Sequence, residues 1–480
     1  MFRLKEVFVL IYFIVSLFHF YNFEPENNVI YGLFTLNFCI ITFLFFYHLY
    51  LEKGYSPFLS TFLVFNYLFF LVAPMSQITT LAAMDDPVFV HKFPYQEDLV
   101  IHTLWLIALF NTVFSILYVA FSSRFTSKRI VGELKNRTAR RTTPYMIVIW
   151  LVLTLLILVT QFQFVIDELN RPSWQSHDVS VIEGLVKTKI LFVFPLVGII
   201  ITVKALRAAG KLSNKMIYYM ALACFFLLLL FFKNPLATKR HELGPIFFIL
   251  IFLFIPRLIT SNLKTTAMIF LAMLVGFPLA QLLTHIDYPL EDIVQDPSLL
   301  LSGIEEGVLT KGYYSLNYDA FMNIGVVIEH VANKGFSYGY QMLSGLLFFV
   351  PRAIWPSKPP SSGLIVGNTL KDNYGFTFTN LSNPFVSEAY DNFGHIGMVI
   401  FAFLLVITMM YFRKWLLSGQ LLKQCMAIYF ALHLLMLLRG DFTNGIAYLG
   451  GALFSMYLLP KSMEQVLDMI IYSRKKNATK

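Results

Sequence analysis

The sequence has little charge and very few cysteines. Asp, Glu, Lys and Arg make up 14% of its 480 residues, against roughly 25% in a typical soluble domain. The three cysteines, Cys39, Cys224 and Cys425, lie in apolar runs, and their spacing fits no disulfide framework, metal site or C-x-x-C pair. Rossmann-type and P-loop glycine motifs are also missing. These absences exclude a soluble globular domain, and no cofactor or metal is predicted.

Long apolar runs dominate the sequence instead. Hydrophobic residues make up 57% of the chain, with 50 phenylalanines, and the mean hydropathy is +0.66. Many runs approach the ~20 residues that a helix needs to cross a bilayer, and they are continuous, whereas barrel strands alternate apolar and polar residues. The first run lacks a small-residue cleavage site, so we interpret it as an uncleaved helix.

The sequence therefore predicts an all-α polytopic integral membrane protein with about 12 transmembrane helices. The predicted spans are 6–21, 30–50, 57–81, 98–121, 144–164, 185–206, 215–232, 244–260, 265–284, 394–412, 422–438 and 443–460.

The distribution of Lys and Arg predicts the orientation. The loop 122–143 carries seven basic residues and one acid, and basic loops of this kind stay in the cytoplasm. Every second loop between the predicted spans is also basic, whereas the remaining loops are acidic or mixed. Both termini are therefore predicted to be cytoplasmic. The net charge of +9 suits cytoplasmic loops and lipid headgroups, and no nucleic-acid partner is predicted.

Four parts follow from this topology. Residues 1–284 hold the first nine transmembrane helices, 285–393 form a large periplasmic loop, 394–460 hold the last three transmembrane helices, and 461–480 form an amphipathic tail on the cytoplasmic surface.

The large loop contains further elements. Residues 310–335 are predicted to include a helix. Residues 338–350 are apolar but too short to span, which predicts a re-entrant or interfacial helix. Residues 357–384 are rich in Pro, Gly, Ser and Asn, which predicts a loop.

Three basic clusters lie on the predicted outer face, where cations are usually scarce. A cation at a membrane boundary is costly unless water, a carboxylate or an anionic ligand compensates it. Arginine grips phosphate through two parallel bonds and stays charged when partly buried. We therefore expect a shared anion site, although any one cation alone would also suit a headgroup anchor, and Arg439 an ion pair with Asp441. The clusters are Lys233, Lys239, Arg240 and His241; Arg352 and Lys358; and Arg439.

Groups able to transfer protons lie in the same layer. NPFVSEAYDNFGHIG places Glu388, Asp391 and His395 at the start of a predicted span. If that helix begins early, the three side chains share one face. Acids at a helix start are equally typical of capping. Trp355 and Tyr390 are candidates for stacking on a sugar ring, although Trp355 also suits an interfacial belt.

Several short segments resemble one family. PRAIWPSKP, then SEAYDNFGHIG, then LLRGDF before the last span resemble, in that order, the O-antigen polymerase (Wzy) family of bacterial oligosaccharide repeat-unit polymerases. NPLATKRHELG is similar to that family's basic outer loop. The resemblance covers residues 230–450, whereas residues 1–220 match only in hydropathy.

The resemblance implies a GT-C-type glycosyltransferase of the cell inner (cytoplasmic) membrane. Its donor would be a growing O-antigen or capsule-type glycan on undecaprenyl diphosphate, and its acceptor a repeat unit on a second undecaprenyl diphosphate. A flippase and a chain-length-regulating co-polymerase would be its partners, beside membrane lipid.

The resemblance also implies roles for the matching residues. Arg240, Arg352 and Arg439 would hold the two diphosphates, with Lys239 and Lys358 assisting. Glu388 would be the general base, with His241 or His395 as second choices and Asp391 beside it.

Two other functions remain open. An O-antigen ligase uses the same donor with a lipid A-core acceptor. A lipid-linked oligosaccharide flippase would need polar groups through the middle of the spans, whereas the charges here crowd one face.

Overall fold

The computed structural model describes residues 4–25, 27–81, 95–123, 143–169, 181–209, 212–235, 238–276, 296, 316–377, 379 and 381–478. Every regular element in these ranges is helical, and no strand occurs among them. Within them, ten helices are long and apolar enough to cross a membrane. The predicted all-α polytopic membrane protein is confirmed.

The helices are numbered in chain order. They are α1 (Leu4–Tyr21), α2 (Asn28–Phe46), α3 (Pro57–Tyr67), α4 (Ala73–Leu81), α5 (Glu97–Ser122), α6 (Thr143–Leu169), α7 (Val181–Leu185), α8 (Phe194–Ala208), α9 (Leu212–Phe232), α10 (Arg240–Phe254), α11 (Asn262–Leu271), α12 (Ala320–Lys334), α13 (Tyr340–Leu346), α14 (Ser362–Tyr374), α15 (Phe385–Leu416), α16 (Leu421–Arg439), α17 (Phe442–Leu453) and α18 (Leu459–Ala478).

Two of the twelve predicted spans fall on shorter helices. The span 244–260 corresponds to α10, which has 15 residues and ends just before Pro256, because proline clashes with the preceding helical turn. The span 265–284 corresponds to α11, and its residues 277–284 lie outside the described ranges. Most of the predicted basic loop 122–143 and residues 285–295 and 297–315 of the predicted periplasmic loop also lie outside them.

The span Pro57–Thr79, which joins α3 to α4, lies at the centre of the bundle. Its 18-residue apolar window is entirely buried, and α3 packs against α11 and α16. The rings of Phe62 and Phe114 stack with their centroids 3.9 Å apart. The outer helices surround this core, which explains their exposed apolar faces.

The bundle has two ends with different polar groups. At one end α5, α10, α15 and α17 begin and α9 and α16 finish. Residues 316–377 pack there, for example through Ser337, which donates to Asp391. We call this the loop end and the opposite one the basal end.

A buried ion pair closes the basal end. Arg413 Nη1 lies 2.9 Å from Glu52 Oε1, and both side chains are 1% exposed. His48 Nδ1 and the Tyr118 hydroxyl also bond this carboxylate, at 2.6 and 2.9 Å. One carboxylate therefore neutralises one arginine and ties the end of α2 to α5 and α15.

The prediction that residues 357–384 form a loop is wrong, because they contain the 13-residue helix α14. Its glycines serve close packing. A Cβ on Gly363 or Gly367 would overlap the carbonyl group of Leu381 or Thr379. Gly375 then ends the helix at φ 65°, a conformation that favours glycine. The predicted helices at 310–335 and 338–350 are present as α12 and α13.

Helix α15 begins before the predicted span 394–412. It starts at Phe385 and is broken at Phe393 and Gly394, where Gly394 has φ 58° and ψ −141°. That conformation is open to glycine and strained for other residues. His395 therefore lies beyond the break, on a different helical segment from Glu388 and Asp391.

We expect Gly367→Ala to destabilise the protein by about 1–3 kcal/mol, because the new methyl group would push α14 off the backbone at Thr379. The thermal unfolding midpoint in detergent micelles measures this. Gly32→Ala is the matched control, since a Cβ there meets nothing within 4 Å. Alanine is also more favourable than glycine inside a helix by about 1 kcal/mol. Equal midpoints for the two variants would contradict the packing role.

Candidate functional site

The first turn of α10 lies between two cavities at the loop end. One has a volume of about 440 Å³ and is lined mainly by α3, α10, α11 and α16. The other has a volume of about 270 Å³ and is lined mainly by α6, α9, α10, α17 and the turns that precede α8. We call them the apolar cavity and the polar cavity. His241 lines both.

The apolar cavity runs from the loop end into the bundle. Arg240, Arg439 and Gly440 line it at the helix ends, and Ile251 and Leu432 line it deeper. The eleven residue steps of helix from 240 to 251 rise roughly 16 Å. The cavity is therefore charged at one end and hydrocarbon-like along its length.

One of the two arginines at its charged end is paired with a buried carboxylate. Arg439 Nη2 lies 3.0 Å from Oδ1 of Asp319, which is 2% exposed. Arg240 Nη2 donates to Asn317 Oδ1 at 3.2 Å. Ser382 donates to the same Asp319 oxygen at 2.9 Å. The predicted local pair of Arg439 with Asp441 is not the contact that forms; the partner is 120 residues away.

The two guanidinium groups act on each other. Burial and then the charge of Arg439 lower the pKa of Arg240 to about 10. Arg240 therefore remains charged at neutral pH, although its cationic form is penalised by desolvation and by repulsion. An anion placed between the two arginines would relieve that repulsion.

The polar cavity contains a second charge cluster. Glu242 binds two lysines, with Lys189 Nζ 2.5 Å from its Oε1 and Lys233 Nζ 2.5 Å from its Oε2. Burial alone would raise the pKa of the Glu242 carboxyl, but the two lysines hold it far below its ordinary value. Lys239, at the N-cap of α10, also lines this cavity.

The local backbone explains how Lys189 enters the bundle. It lies in the π turn Val186–Ile190, which a 3-10 turn separates from α8. Pro195 follows in the first turn of α8, and proline cannot donate the helical hydrogen bond to the residue four positions earlier. The irregular turns bring Lys189 Nζ to 3.9 Å from the centroid of the Tyr448 ring.

His241 connects the two cavities. Its Nε2 lies 3.5 Å from Lys189 Nζ, and its ring stacks on Tyr448 at 5.9 Å between centroids. Burial and then Lys189 hold the pKa of His241 well below the ordinary 6.5. The imidazole is therefore neutral at physiological pH and able to accept a proton.

Glu388 lies outside the described lining of both cavities. It is 1% exposed, and its Oε1 accepts hydrogen bonds from the Phe442 backbone N–H at 2.9 Å and from the Ser362 hydroxyl. Asp441 caps the same helix start by accepting from Asn444 N at 2.7 Å. Glu388 therefore ties α14, α15 and the start of α17 together.

Asp391, Tyr390 and His395 form a separate group. Asp391 accepts from the Ser337 hydroxyl at 2.8 Å. Tyr390 packs edge-on against His395 at 5.8 Å, and His395 stacks on His102 at 6.1 Å. None of these four side chains is among the described residues that line the two cavities.

Arg352 and Lys358 hold the segment after α13 in place. Arg352 donates to the carbonyl oxygens of Lys358 and Pro359 at 2.5 and 3.2 Å. Lys358 Nζ donates to three carbonyl oxygens between Leu347 and Val350, at 3.0–3.2 Å. Neither residue is among the described residues that line the two cavities, and Arg352 is exposed.

Trp355 lies in the same segment. Its Nε1 donates to Ser357 at 3.1 Å, and its ring packs edge-on against Tyr340 at 6.2 Å. Exposed apolar side chains surround it, among them Phe349 and Ile354. This environment suits the membrane interface.

Sequence reasoning missed Lys189 and Glu242. Lys189 was hidden inside a predicted span, although the pair of lysines in VKTKI was a signal, because charges inside spans are rare. Glu242 follows His241 directly, but only the basic residues of this segment were considered as candidates. The sequence also did not indicate that Asp319 pairs with Arg439, since the two residues are 120 positions apart.

The comparisons with known proteins give one match. Residues 379–459 match the family described as O-antigen polysaccharide polymerase Wzy. No curated protein matches the chain, and no solved structure matches it either. The matched segment contains Glu388, Arg439 and Tyr448. It confirms the resemblance over these residues and supports a polysaccharide polymerase role for this multi-pass membrane protein.

We expect Asp319→Asn to lower stability by about 1–3 kcal/mol, because it removes the carboxylate that pairs with Arg439 while keeping an oxygen for Ser382. The thermal unfolding midpoint measures this, with the exposed Asp372→Asn as control. If both variants unfold at the same temperature, the ion pair of Asp319 with Arg439 does not stabilise the fold.

Proposed function

We propose that the protein polymerises a bacterial surface glycan, transferring the growing chain from undecaprenyl diphosphate onto a repeat unit carried by a second undecaprenyl diphosphate. One observation carries the proposal: Arg240 and Arg439, the latter paired with a buried carboxylate, lie together at the charged end of an elongated apolar cavity. The polymerase family match at residues 379–459 agrees with it.

The chemistry of the apolar cavity fits a lipid diphosphate. Paired guanidinium groups grip phosphate oxygens through parallel hydrogen bonds and keep their charge when partly buried. The hydrocarbon-like walls suit the first part of a prenyl chain. Phe247 lines the cavity and is also exposed on the outside of the bundle, which supports entry of the chain from the membrane.

The reaction follows from these contacts. A hydroxyl oxygen of the acceptor sugar bonds to the anomeric carbon of the donor, and the bond from that carbon to the diphosphate oxygen breaks. The diphosphate leaves with the electron pair, and Arg240 and Arg439 stabilise the charge that develops on it. The hydroxyl proton passes to a base in the same layer.

His241 is the base that the geometry favours. It borders both cavities and is neutral. Glu388, the first choice from the sequence, already accepts two hydrogen bonds that hold helices together. Its role as a base stays a prediction, as do those of Asp391 and His395.

The second diphosphate belongs at a different place. It lies at the far end of the acceptor glycan, several sugars from the reacting hydroxyl. Arg352 and Lys358 remain its candidate ligands, since the segment around them exposes apolar side chains suited to the interface. Trp355 and Tyr390 remain candidates for sugar contacts.

The orientation belongs to the proposal too. The basic loops favour an orientation with both termini in the cytoplasm and the loop end in the periplasm. The substrates would arrive there through a flippase, and a co-polymerase would set chain length. The protein would then act at the outer face of the inner membrane.

We expect a deletion strain complemented with Arg439→Ala or Arg240→Ala to lose the ladder of long glycans while keeping a lipid core with one repeat unit. Loss of a charge-assisted contact predicts about 10- to 100-fold less polymer. Arg439→Lys should fail as well, because a lysine cannot bind two oxygens in parallel. A gel of the surface glycan, at equal protein expression, measures all three.

The control for this experiment is Arg257→Ala, an exposed arginine at the basal end, which should give a full ladder. A bare core with lipid-linked glycan outside the membrane in the deletion strain would identify a ligase instead. A bare core with the glycan trapped inside would identify a flippase.

We expect His241→Ala to lower the polymerisation rate by about 10²- to 10⁴-fold, and Glu388→Gln to stay within about twofold, because glutamine still accepts from Phe442 and Ser362. The initial rate with purified protein measures both. In the wild type the rate should fall only well below pH 6.5, where the imidazole becomes protonated. An inactive but folded Glu388→Gln would make Glu388 the base.

A further inference from the structure

The polar cavity has no part in the reaction described so far. It is separated from the donor's diphosphate site by the first turn of α10, and His241 is the one described residue that lines both. Lys189, Lys233 and Glu242 form its floor of charged groups, all engaged with one another. The polar cavity borders the proposed base, His241, but contains none of the residues assigned to the donor diphosphate. A different part of the substrate could therefore bind in it.

The lining identifies the kind of occupant. Aromatic rings from Phe192, Phe231 and Tyr448 alternate with side chains that donate or accept hydrogen bonds, including Glu168, Asn234 and Asn444. The volume of about 270 Å³ is at the lower limit for ligand pockets. Mixed aromatic and polar walls of this size fit a single sugar ring, which offers both CH faces and hydroxyl groups.

We propose that the polar cavity binds the terminal sugar of the acceptor glycan and presents its hydroxyl to His241. The assignment rests on the proposed function, in which the acceptor oxygen must reach the base while the donor diphosphate lies on the other face of α10. Lys239, which lines this cavity rather than the apolar one, then contacts the acceptor sugar and not a diphosphate.

The charges argue against a second diphosphate here. Both Lys189 and Lys233 are already bound to Glu242, and Glu168 adds a further carboxylate to the lining. A diphosphate would have to displace Glu242 and approach Glu168. A neutral hydroxyl group can bond to carboxylates and ammonium groups alike without breaking the cluster.

Tyr448 is the residue best placed to test the site. Its ring stacks on His241 and lies under Lys189. Its hydroxyl makes no hydrogen bond with any residue that the structure describes, so it is open to a ligand. Tyr448→Phe removes only that hydroxyl and keeps the stacked ring.

The experiment measures binding of the free repeat-unit oligosaccharide, released from its lipid by mild acid, to the purified full-length protein in lipid nanodiscs. We expect Tyr448→Phe and Lys239→Ala each to weaken binding by about 3- to 10-fold, the loss of one hydrogen bond. Tyr457→Phe and Lys187→Ala are the matched controls, since neither residue is among the described lining of the cavity, and should bind as the wild type does.

Transfer from lipid-linked donor to lipid-linked acceptor is measured on the same preparations. If the wild type transfers but binds no free oligosaccharide at millimolar concentration, the acceptor site is elsewhere and the proposed function stands. Unchanged binding in both variants would also overturn the site. A folded wild type that transfers nothing would instead overturn the proposed function.

Discussion

Buried cations in this protein depend on carboxylates that reach them from distant parts of the chain, because an ammonium or guanidinium group inside an apolar bundle is costly without an opposite charge. At the basal end the ratio is one to one, with Glu52 facing Arg413. At the loop end the described cations outnumber the carboxylates that bind them. Asp319 pairs with Arg439 while the neighbouring Arg240 bonds Asn317, and Glu242 pairs with two lysines. The basal pair is neutral and structural, whereas the loop end keeps an excess of positive charge that an anionic substrate can meet.

Packing within the last third of the chain fixes the relative positions of these charged groups. Glu388 and Asp441 both bond the first turn of α17, which fixes the corner between α16 and α17. Arg439 lies before this corner and Tyr448 after it, so one segment supplies a wall to each cavity. The family match covers this segment. The opposite walls, with Arg240, His241 and Lys189, come from residues outside it.

Much of the bundle could be predicted because apolar runs of span length have few alternatives in a membrane. The basic residues were expected to lie on one face, and Arg240 and Arg439 do line the same cavity. Pairings could not be predicted: Arg439 has an acid two residues away, yet it binds Asp319, since the fold rather than the spacing decides which carboxylate is near. Helix α14 was missed because Gly363 and Gly367 are typical of loops in sequence statistics, and only the close carbonyl groups of Leu381 and Thr379 explain them. Lys189 was missed because the average hydropathy of the span stays high despite its lysines.

The position of His241 between two cavities has a stereochemical consequence. In the proposed arrangement the donor diphosphate lies on one face of α10 and the acceptor sugar on another, so the attacking and departing oxygens would approach the anomeric carbon from different sides. Such an arrangement favours a single displacement, in which the anomeric configuration inverts. An α-linked lipid donor would then yield a β-linked polymer. The anomeric linkage in the surface glycan would therefore reflect the separation of the donor and acceptor sites by α10.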